Sequence, residues 1–288
     1  MPGYHLPYFA ADVEGIYEAH GLDVEVVYPE PGPENIKAVA AGRYDLCLTS
    51  VAHFLRAVTE EPNLEARFVL MVARHTHMAV LCAQDASKSS ALGDLDGASY
   101  LGDRASPFTR EYLHLAERIG IKQPSLIEVP YGDVKEALAR GRGDVTADYL
   151  DLLPDYQAPA RERDRQVKAL PFHAAGIDVY GSGLVAGVSQ LETRPQVVQA
   201  TVAAIRAALE QARRDPLPGA RALVQRFPDA GLQRTLDSWR ASEELIFLDD
   251  GRPAGTMDPA KWYTTIEHHA RVHGTARVPS ATVYSAIV

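Results

Sequence analysis

Gly42-Arg43-Tyr44-Asp45-Leu46-Cys47-Leu48-Thr49-Ser50-Val51-Ala52-His53-Phe54 is the stretch that decides the predicted fold. Its glycine ends a short predicted helix over Glu34 to Ala41, because glycine readily adopts the left-handed conformation of a helix C-cap. The apolar run Leu46 to Leu48 is typical of a strand buried on both faces. Thr49 or Ser50 then caps a new helix. Such a strand-to-helix turn leaves free backbone N–H groups at the carboxyl edge of a sheet, where open α/β sheets bind ligands.

A similar pattern occurs again further along the chain. Gly21 and Gly42 flank a predicted strand, and Gly120 and Gly141 flank another at the same separation. In both copies the second glycine begins a Gly-x-x-Asp sequence and follows a similar helical segment. The matched spacing and neighbours indicate two similar α/β halves.

Composition places the chain among ordinary globular proteins. It has 288 residues, 46% of them hydrophobic and 23% charged, which is near the size at which one core divides into two domains. The net charge of −9 argues against nucleic acid or an anionic membrane as the main partner. No apolar stretch reaches the roughly 18 residues that a membrane span requires. We therefore predict no nucleic-acid partner and no membrane span.

Cysteines and the first residues bear on compartment and redox chemistry. Cys47 and Cys82 both lie in apolar runs and are predicted to be buried, and no Cys-x-x-Cys pair occurs. The residues that follow Met1 show neither a basic segment nor an apolar segment of a secretory signal. The expected location is cytoplasmic if Met1 is the true start, and periplasmic or extracytoplasmic if an export segment precedes it.

Hydrophobic periodicity predicts alternating strands and helices, followed by a helical tail. Strands are predicted at 22–28, 46–48, 67–73, 78–83, 98–101, 126–129 and 145–147. Helices are predicted at 8–19, 34–41, 107–119, 134–139, 195–214, 218–227, 233–246 and 259–272. Other segments are predicted as a polar crossing at 85–90, a turn at 92–97, a loop or frayed helix at 154–165, and a bend at 181–183. This order favours an α/β fold in which residues 1–83 plus 184–288 form one lobe and residues 84–183 form an inserted second lobe.

The sequence also resembles a known family. The segments Pro7-Tyr8-Phe9-Ala10-Ala11, Gly15-Ile16-Tyr17-Glu18 and Gly21-Leu22-Asp23-Val24 are similar to the opening of type 2 periplasmic solute-binding proteins. Further similar segments are Gly42-x-x-Asp45, Leu95-x-Gly97, Gly141-x-x-Asp144, Tyr180-Gly181-Ser182-Gly183-Leu184, Pro195-x-x-Val198 and Met257-Asp258-Pro259-x-x-Trp262. The most similar branch is named for thiamine-pyrimidine synthesis and includes sulfonate- and nitrate-type binders. The resemblance implies a two-lobed type 2 periplasmic-binding-protein fold with a helical C-terminal tail.

Two departures from that family matter. Members normally begin with a strand before the segment that matches Gly3 to Tyr8, so this strand is expected to be missing or truncated here. The cysteine-rich stretch of the eukaryotic pyrimidine synthases is absent from the sequence. The resemblance therefore does not extend to their iron-dependent, self-consuming chemistry.

The resemblance implies that loops at 5–8, 49–53, 103–109 and 147–151 meet in a cleft between the lobes, with the connections at 74–77 and 178–182 behind it. Serines can donate hydrogen bonds, aromatic rings can stack on a flat ligand, aspartates suit N–H groups or cations, and arginines suit carboxylate or sulfonate. Each of these residues has a structural alternative as a cap, a turn residue or a packing residue. The predicted ligand-binding residues are His5, Tyr8, Thr49, Ser50, His53, Arg74, His75, Asp103, Ser106, Phe108, Thr109, Asp148, Tyr149 and Tyr180.

Two closely spaced histidines are candidate metal ligands. The spacing His75-x-His77 would place two rings on one side of a strand, which suits a metal ion. No third ligand is fixed by the sequence, so we predict no metal and no cofactor. His268, His269 and His273, on the last predicted helix, are expected to face solvent.

Two functions fit these observations. The first is a solute-binding protein of an ABC-type import system, which closes two lobes on a small polar or heteroaromatic organic ligand and has a transporter permease as its possible partner. The alternative is a cytoplasmic enzyme on the same fold, acting on a small aromatic or heterocyclic acid or a cofactor precursor. The fold does not decide between them. The absence of a recognisable catalytic set favours the binding protein, and the absence of an export signal favours the enzyme.

Overall fold

The computed structural model describes residues 3–84, 95–121 and 125–285, which form two β-sheets with helices packed on their faces. The strands are β1 (Leu46–Ser50), β2 (Ala66–Leu70), β3 (Met78–Gln84), β4 (Ser99–Gly102), β5 (Ser125–Glu128), β6 (Val145–Tyr149), β7 (Gln166–Pro171) and β8 (Ser182–Gly187). The helices are α1 (Leu6–Val13), α2 (Ile16–Ala19), α3 (Pro33–Ala40), α4 (Val51–Glu60), α5 (Pro107–Arg118), α6 (Val134–Ala139), α7 (Leu153–Arg161), α8 (Val188–Thr193), α9 (Pro195–Arg214), α10 (Leu217–Arg226), α11 (Leu232–Ile246) and α12 (Pro259–His273).

The two sheets differ in strand direction. The first has the order β1-β8-β2, in which both neighbours of β8 run antiparallel to it and Leu48 lies opposite Leu184. The second has the order β5-β4-β6-β3-β7, with β4 parallel to β5 and β6 and with β3 antiparallel to β6 and β7. The predicted α/β class, with a second sheet inserted into the first and a helical C-terminal region, is confirmed.

The chain passes between the sheets through residues 71–77 and 172–181. Strand β3 lies in the predicted first lobe by sequence position, yet its hydrogen-bonded neighbours β6 and β7 belong to the second sheet. The change from the first sheet to the second therefore comes before β3, whereas the predicted lobe boundary comes after residue 83. The difference arises because hydrogen-bonded pairing, and not position in the chain, decides which sheet a strand joins. The predicted polar crossing at 85–90 and the start of the predicted turn at 92–97 lie outside the described residues.

Helices of the tail bury their apolar faces against the first sheet. Val198, Val202, Ile205 and Leu209 lie on one face of α9 and are buried against α1 and its neighbours, as their helical spacing predicts. A second part of this core contains Trp262 of α12, whose ring centroid lies 5.2 Å from that of Phe68 on β2. In the described part of the chain, no helix combines the length and the apolarity needed to cross a bilayer.

Three local predictions differ from the structure. The helix predicted at 8–19 is divided into α1 and α2 at Gly15, whose φ of 66° is a left-handed conformation that ends a helical run. Residues 22–28 alternate like a strand but belong to neither sheet, because a strand requires a hydrogen-bonded neighbour and none of the described strands pairs with them. The predicted bend at 181–183 is instead the start of β8, where Gly183 allows close approach because a Cβ there would lie 2.3 Å from the Leu70 carbonyl oxygen.

Candidate functional site

A cleft of about 1780 Å³ separates the two sheets. It is lined by the first helical segment, the extended residues 22–28, the β1–α4 turn, the start of α5, and the ends of β3, β6 and β8. Pockets for small ligands usually measure about 300–1000 Å³. A small ligand would therefore fill only part of this open cleft.

Ser50 positions the turn between β1 and α4 as its sequence predicts. Its Oγ accepts a hydrogen bond of 3.2 Å from the backbone N–H of His53, which makes it the N-cap of α4. The backbone N–H of Val51 is also occupied, because it donates to the Gly181 carbonyl at 2.9 Å. The Ser50 hydroxyl hydrogen remains able to donate into the cleft. Burial, helped by the charge of Arg56, lowers the pKa of His53.

A line of polar groups crosses the inner part of the cleft. His77 Nε2 is hydrogen-bonded to Ser182 Oγ at 2.9 Å, and His77 Nδ1 lies 3.4 Å from Asp151 Oδ1 without a hydrogen bond between them. All three residues line the cleft, and Asp151 is only 2% exposed. Neither oxygen of its carboxylate has a hydrogen-bond partner among the described residues. A buried charge in this condition is costly unless something binds it.

His5 and Tyr8 also carry buried polar atoms without a hydrogen-bond partner among the described residues. His5 Nε2 and the Tyr8 hydroxyl are buried, and neither has a hydrogen-bond partner in the described part of the chain. Burial lowers the pKa of His5 to about 4, although the nearby Asp151 carboxylate acts in the opposite direction. The imidazole is therefore neutral at pH 7. We call His5, Tyr8, His77, Asp151 and Ser182 the floor cluster.

Aromatic rings surround the floor cluster. Tyr4 has its ring centroid 5.0 Å from that of His77, and Tyr28 stacks on His5 with centroids 6.2 Å apart. On the other side, Phe108 meets Tyr149 edge to face at 5.1 Å. Rings arranged in this way offer flat apolar surfaces above and beside the polar groups, as an aromatic ligand requires.

Positive charge is confined to the mouth of the cleft. Every arginine among the described cleft-lining residues is exposed; these are Arg43, Arg56, Arg110 and Arg194. Arg74, the arginine predicted to bind an anion, is buried outside the cleft lining and forms a two-pronged ion pair with Asp250. Among the described residues, no arginine or lysine that lines the cleft is buried beside the Asp151 carboxylate.

The structure brings eight of the predicted ligand-binding residues to the cleft. Their role in binding remains a prediction, because lining a cleft does not establish contact with a ligand. These residues are His5, Tyr8, Thr49, Ser50, His53, Phe108, Tyr149 and Tyr180. Six others lie elsewhere: Arg74, His75, Asp103, Ser106, Thr109 and Asp148.

His75 and His77 do not form the pair that their spacing suggested. His75 Nδ1 is hydrogen-bonded to Asp178 at 2.5 Å, and its ring stacks on His173 with centroids 4.1 Å apart. Residues 74–77 are not part of a strand, so the two side chains do not share a sheet face. Burial raises the pKa of Asp178, but hydrogen bonds from His75 and Lys261 outweigh burial and bring the pKa to about 2.

Three predicted residues in or near α5 make hydrogen bonds within the protein instead of lining the cleft. Asp103 Oδ1 accepts from the Ala105 N–H at 2.8 Å, as turn aspartates do. Ser106 caps α5 by accepting from the Phe108 N–H at 3.2 Å. The buried Thr109 hydroxyl donates to the Tyr100 hydroxyl at 3.3 Å.

Asp148 is fully buried and fully engaged. Its carboxylate accepts from the Tyr156 hydroxyl at 2.6 Å, from the Tyr149 N–H at 2.8 Å and from the Tyr131 hydroxyl at 3.2 Å. Burial raises the pKa of Asp148, while these donors act to lower it. The side chain ties β6 to the neighbouring loop and to α7.

The prediction that His268, His269 and His273 face solvent was wrong. His268 is 9% exposed and His269 is 6% exposed, because this face of α12 packs against α5. Glu111 of α5 accepts hydrogen bonds from His268 Nε2 at 3.0 Å and from His273 Nε2 at 2.6 Å. Glu111, His269 and His273 also line the cleft. We call Glu111, His268, His269 and His273 the histidine cluster.

Sequence reasoning missed several residues that the structure places in the cleft. Tyr4, Tyr28, His77, Glu111, Asp151 and Ser182 are cleft-lining residues that were not among the predicted binders. A partial signal existed, since Asp151 ends the predicted loop 147–151 and Ser182 ends the connection 178–182. Nothing in the sequence distinguishes a carboxylate with partners from one without them.

Comparison with known proteins agrees with this architecture. The NMT1/THI5 like family matches residues 3–217. The periplasmic aliphatic sulphonate binding protein SsuA from Escherichia coli has a TM-score of 0.70 at 15% identity, over 99% of this chain and 90% of that one. A putative sulfonate-binding SsuA from Methylobacillus flagellatus KT has a TM-score of 0.68 at 14% identity, over 97% and 86%.

A third solved structure is similar to the same extent. The zinc-bound ligand binding component of an ABC-type import system from Staphylococcus aureus has a TM-score of 0.67 at 14% identity, over 99% of this chain and 94% of that one. No curated protein matches the sequence significantly. Because the family match covers well over half of its length, this chain belongs to the NMT1/THI5 like family, on the fold of type 2 periplasmic binding proteins.

Proposed function

We propose that this protein is the solute-binding component of an ABC-type import system and closes two lobes on a small heteroaromatic ligand that carries N–H groups. We propose that the lobes are residues 1–83 with 184–288 and residues 84–183, except that β3, which pairs with β6 and β7, belongs with the second lobe. The proposal is supported by solved proteins of the same fold that are named as sulfonate-binding, nitrate-binding or import components.

The floor cluster is the observation that carries the proposal. It gathers a carboxylate, two imidazoles and two hydroxyls in one inner region, and several of their buried atoms have no partner among the described residues. Buried polar groups in a folded protein are normally satisfied, so unsatisfied ones at a cleft point to a ligand that completes them. The Asp151 carboxylate accepts, and the Tyr8 hydroxyl and His5 imidazole donate or accept.

Charge and shape narrow the class of ligand. A sulfonate or nitrate ion in the inner cleft would meet the Asp151 carboxylate, while the cleft's arginines stay at its exposed mouth. A neutral or cationic ring with N–H donors would instead satisfy that carboxylate and stack between Tyr4, Tyr149 and their neighbours. An aminopyrimidine has this combination of a flat ring and N–H donors.

The enzyme alternative receives less support. Asp151, His77 and Ser182 stand in the order of a hydrolase triad, with 2.9 Å between His77 Nε2 and Ser182 Oγ. However, Asp151 and His77 make no hydrogen bond at 3.4 Å, and Ser182 is only 3% exposed. These three groups are better suited to hold a ligand than to attack one.

A ligand screen tests the proposal. The purified protein is incubated with a panel of aminopyrimidines and related N–H heterocycles, with aliphatic sulfonates and nitrate as the contrasting panel. We expect at least one heterocycle to raise the melting temperature by mass action and to be recovered unchanged by mass spectrometry. Stabilisation by the anions alone would contradict the proposed ligand class. Turnover of the bound compound would favour the enzyme.

A further inference from the structure

The histidine cluster joins the two halves of the molecule at one wall of the cleft. Glu111 lies on α5, whose apolar face packs with Tyr100 and Val145 in the core of the second sheet. His269 and His273 lie on α12, whose apolar residues pack in the core beside the first sheet. These three residues therefore bring ligand atoms from both lobes to a single point.

The geometry of this point suits a metal ion. One ligand atom each from Glu111, His269 and His273 can be chosen so that all lie within 4.8 Å of one another. His269 and His273 are four positions apart on a helix, which places their rings on the same face. Neighbouring ligand atoms in a tetrahedral zinc site lie about 3.3 Å apart, given zinc–nitrogen and zinc–oxygen distances of about 2.0–2.1 Å. Small side-chain movements would reach this arrangement.

An unpartnered nitrogen provides a second, independent observation. His269 is 94% buried, since its exposure is 6%, and its Nδ1 has no hydrogen-bond partner among the described residues. Glu111 is already oriented by His268, whose Nε2 lies 3.0 Å from Oε2. Such a hydrogen bond from an outer group is what usually fixes a metal-binding carboxylate.

We propose that Glu111, His269 and His273 bind a zinc-type divalent cation, with His268 positioning the carboxylate. Two imidazoles and one carboxylate form a common three-residue zinc set that leaves the fourth coordination position open. All three ligands line the cleft, so the open position faces it. The cation takes the place of the hydrogen bond between His273 Nε2 and Glu111. When His273 coordinates through Nε2, that proton passes to solvent and the ring carries its proton on Nδ1, so the imidazole stays neutral. The bound cation links α5 to α12 and so holds the two lobes together at this wall.

Titration of chelator-treated protein with zinc chloride tests the proposal. We expect one equivalent to bind to the full chain and to raise its melting temperature, because the cation binds only the folded protein. Cobalt(II) should bind at the same place and give the intense visible absorption of a tetrahedral site. Absence of stoichiometric binding of either ion would overturn the proposal.

Variants test which residues hold the ion. Glu111→Gln, His269→Ala and His273→Ala should each weaken zinc binding by more than about 100-fold, since even changes of outer residues weaken metal sites by about 10- to 100-fold. His268→Ala should weaken binding by only about 10-fold. His20→Ala is the matched control, because His20 lies at the end of α2 and is hydrogen-bonded to the Ile16 carbonyl; it should leave binding unchanged.

Folding is checked separately for each variant by circular dichroism and melting temperature in the presence of chelator. If Glu111→Gln folds and binds zinc as tightly as the wild type, the ion does not bridge the lobes and the proposal is wrong. If a ligand variant fails to fold, His269→Gln, which retains a polar side chain of similar size, replaces it. Loss of the cobalt absorption in that variant would support the site, and its retention would overturn it.

Discussion

Asp148 and Asp151 are three positions apart at the end of β6, both are buried, and their surroundings are opposite. Asp148 is 0% exposed and accepts hydrogen bonds from Tyr131, Tyr149 and Tyr156. Asp151 is 2% exposed and has no hydrogen-bond partner among the described residues. Burial alone therefore does not separate a carboxylate that the protein satisfies from one that it leaves without a hydrogen-bond partner.

The two carboxylates differ in whether the protein supplies hydrogen-bond donors to them. The protein supplies donors to Asp148, so this residue stabilises the second sheet and has no capacity left for a ligand. Asp151 retains its full hydrogen-bonding capacity in the cleft, at a cost to stability that a bound ligand would offset. The sequence favoured Asp148 as a ligand-binding residue, whereas the structure makes Asp151 the better candidate.

The largest expected effect comes from removing the satisfied carboxylate. Asp148→Ala leaves the buried Tyr156 hydroxyl and the Tyr149 N–H without their acceptor, and each such group costs about 1–3 kcal/mol. We expect the free energy of unfolding to fall by about 2–5 kcal/mol. Urea unfolding of the ligand-free protein measures this. A loss of stability below about 1 kcal/mol would show that the hydrogen bonds to Asp148 do not stabilise the fold to the expected extent.

The matching change at the unsatisfied carboxylate should act on binding instead. Asp151→Asn removes the charge but keeps the shape, so the ligand-free protein should be as stable as the wild type or more stable. Affinity for the tightest-binding heterocycle of the panel should fall about 10- to 100-fold, the value of a hydrogen bond to a charged group. Calorimetry and urea unfolding on the same sample give both numbers. If Asp151→Asn left the affinity unchanged and lowered the stability, Asp151 would be a stabilising residue and not a ligand-binding one.

A pH series sharpens the comparison through His5, the neutral imidazole near Asp151. Its pKa is lowered from 6.5 to about 4 in the folded protein, chiefly by burial. The unfolded chain therefore binds the proton more tightly, and the stabilisation present above pH 6.5 is lost as the pH falls towards 4. Between pH 7 and 5.5, His5 should account for about 1 kcal/mol of lost stability.

The His5→Gln variant isolates this contribution. Its free energy of unfolding should fall less between pH 7 and 5.5 than that of the wild type, by about 1 kcal/mol. Urea unfolding at the two pH values provides the measurement. Identical pH slopes for the two proteins would mean that His5 is not held neutral by burial.

The smallest expected effects come from two helix caps, one on each sheet's side. Ser50 caps α4 at the cleft, and Ser106 caps α5 without lining the cleft. Ser50→Ala and Ser106→Ala should each lower the free energy of unfolding by about 1 kcal/mol. Only Ser50→Ala should also weaken ligand binding, by several-fold, because its hydroxyl hydrogen remains available. Equal affinity in both variants would make Ser50 a cap alone.

Local structure, such as helix caps and helix limits, could be predicted from the sequence. The cap of α4 was predicted at Thr49 or Ser50 because a side-chain oxygen needs only the next few N–H groups, and Ser50 is the observed cap. Helix α9 was predicted with its observed limits, since its apolar face repeats with the helical period. Predictions of this kind depend on neighbours within one turn of the chain.

Features that depend on residues far away in the sequence could not be predicted from it. Residues 22–28 alternate like a strand, but only the arrangement of the sheets shows that no described strand pairs with them. The histidines of α12 were predicted to face solvent because Glu111 stands more than 150 positions away, on a different helix. A distant partner leaves no mark on the local pattern.

The sequence by itself therefore determined the α/β class, the caps and the family. The tertiary structure alone decided which buried polar groups are satisfied. Asp148 and Asp151 are the same residue type three positions apart, and they differ because the Tyr131 and Tyr156 hydroxyls and the Tyr149 N–H reach one carboxylate and not the other. Hydrogen bonds extend about 3 Å, so the role of each carboxylate depends on packing at that scale, which chain order does not specify.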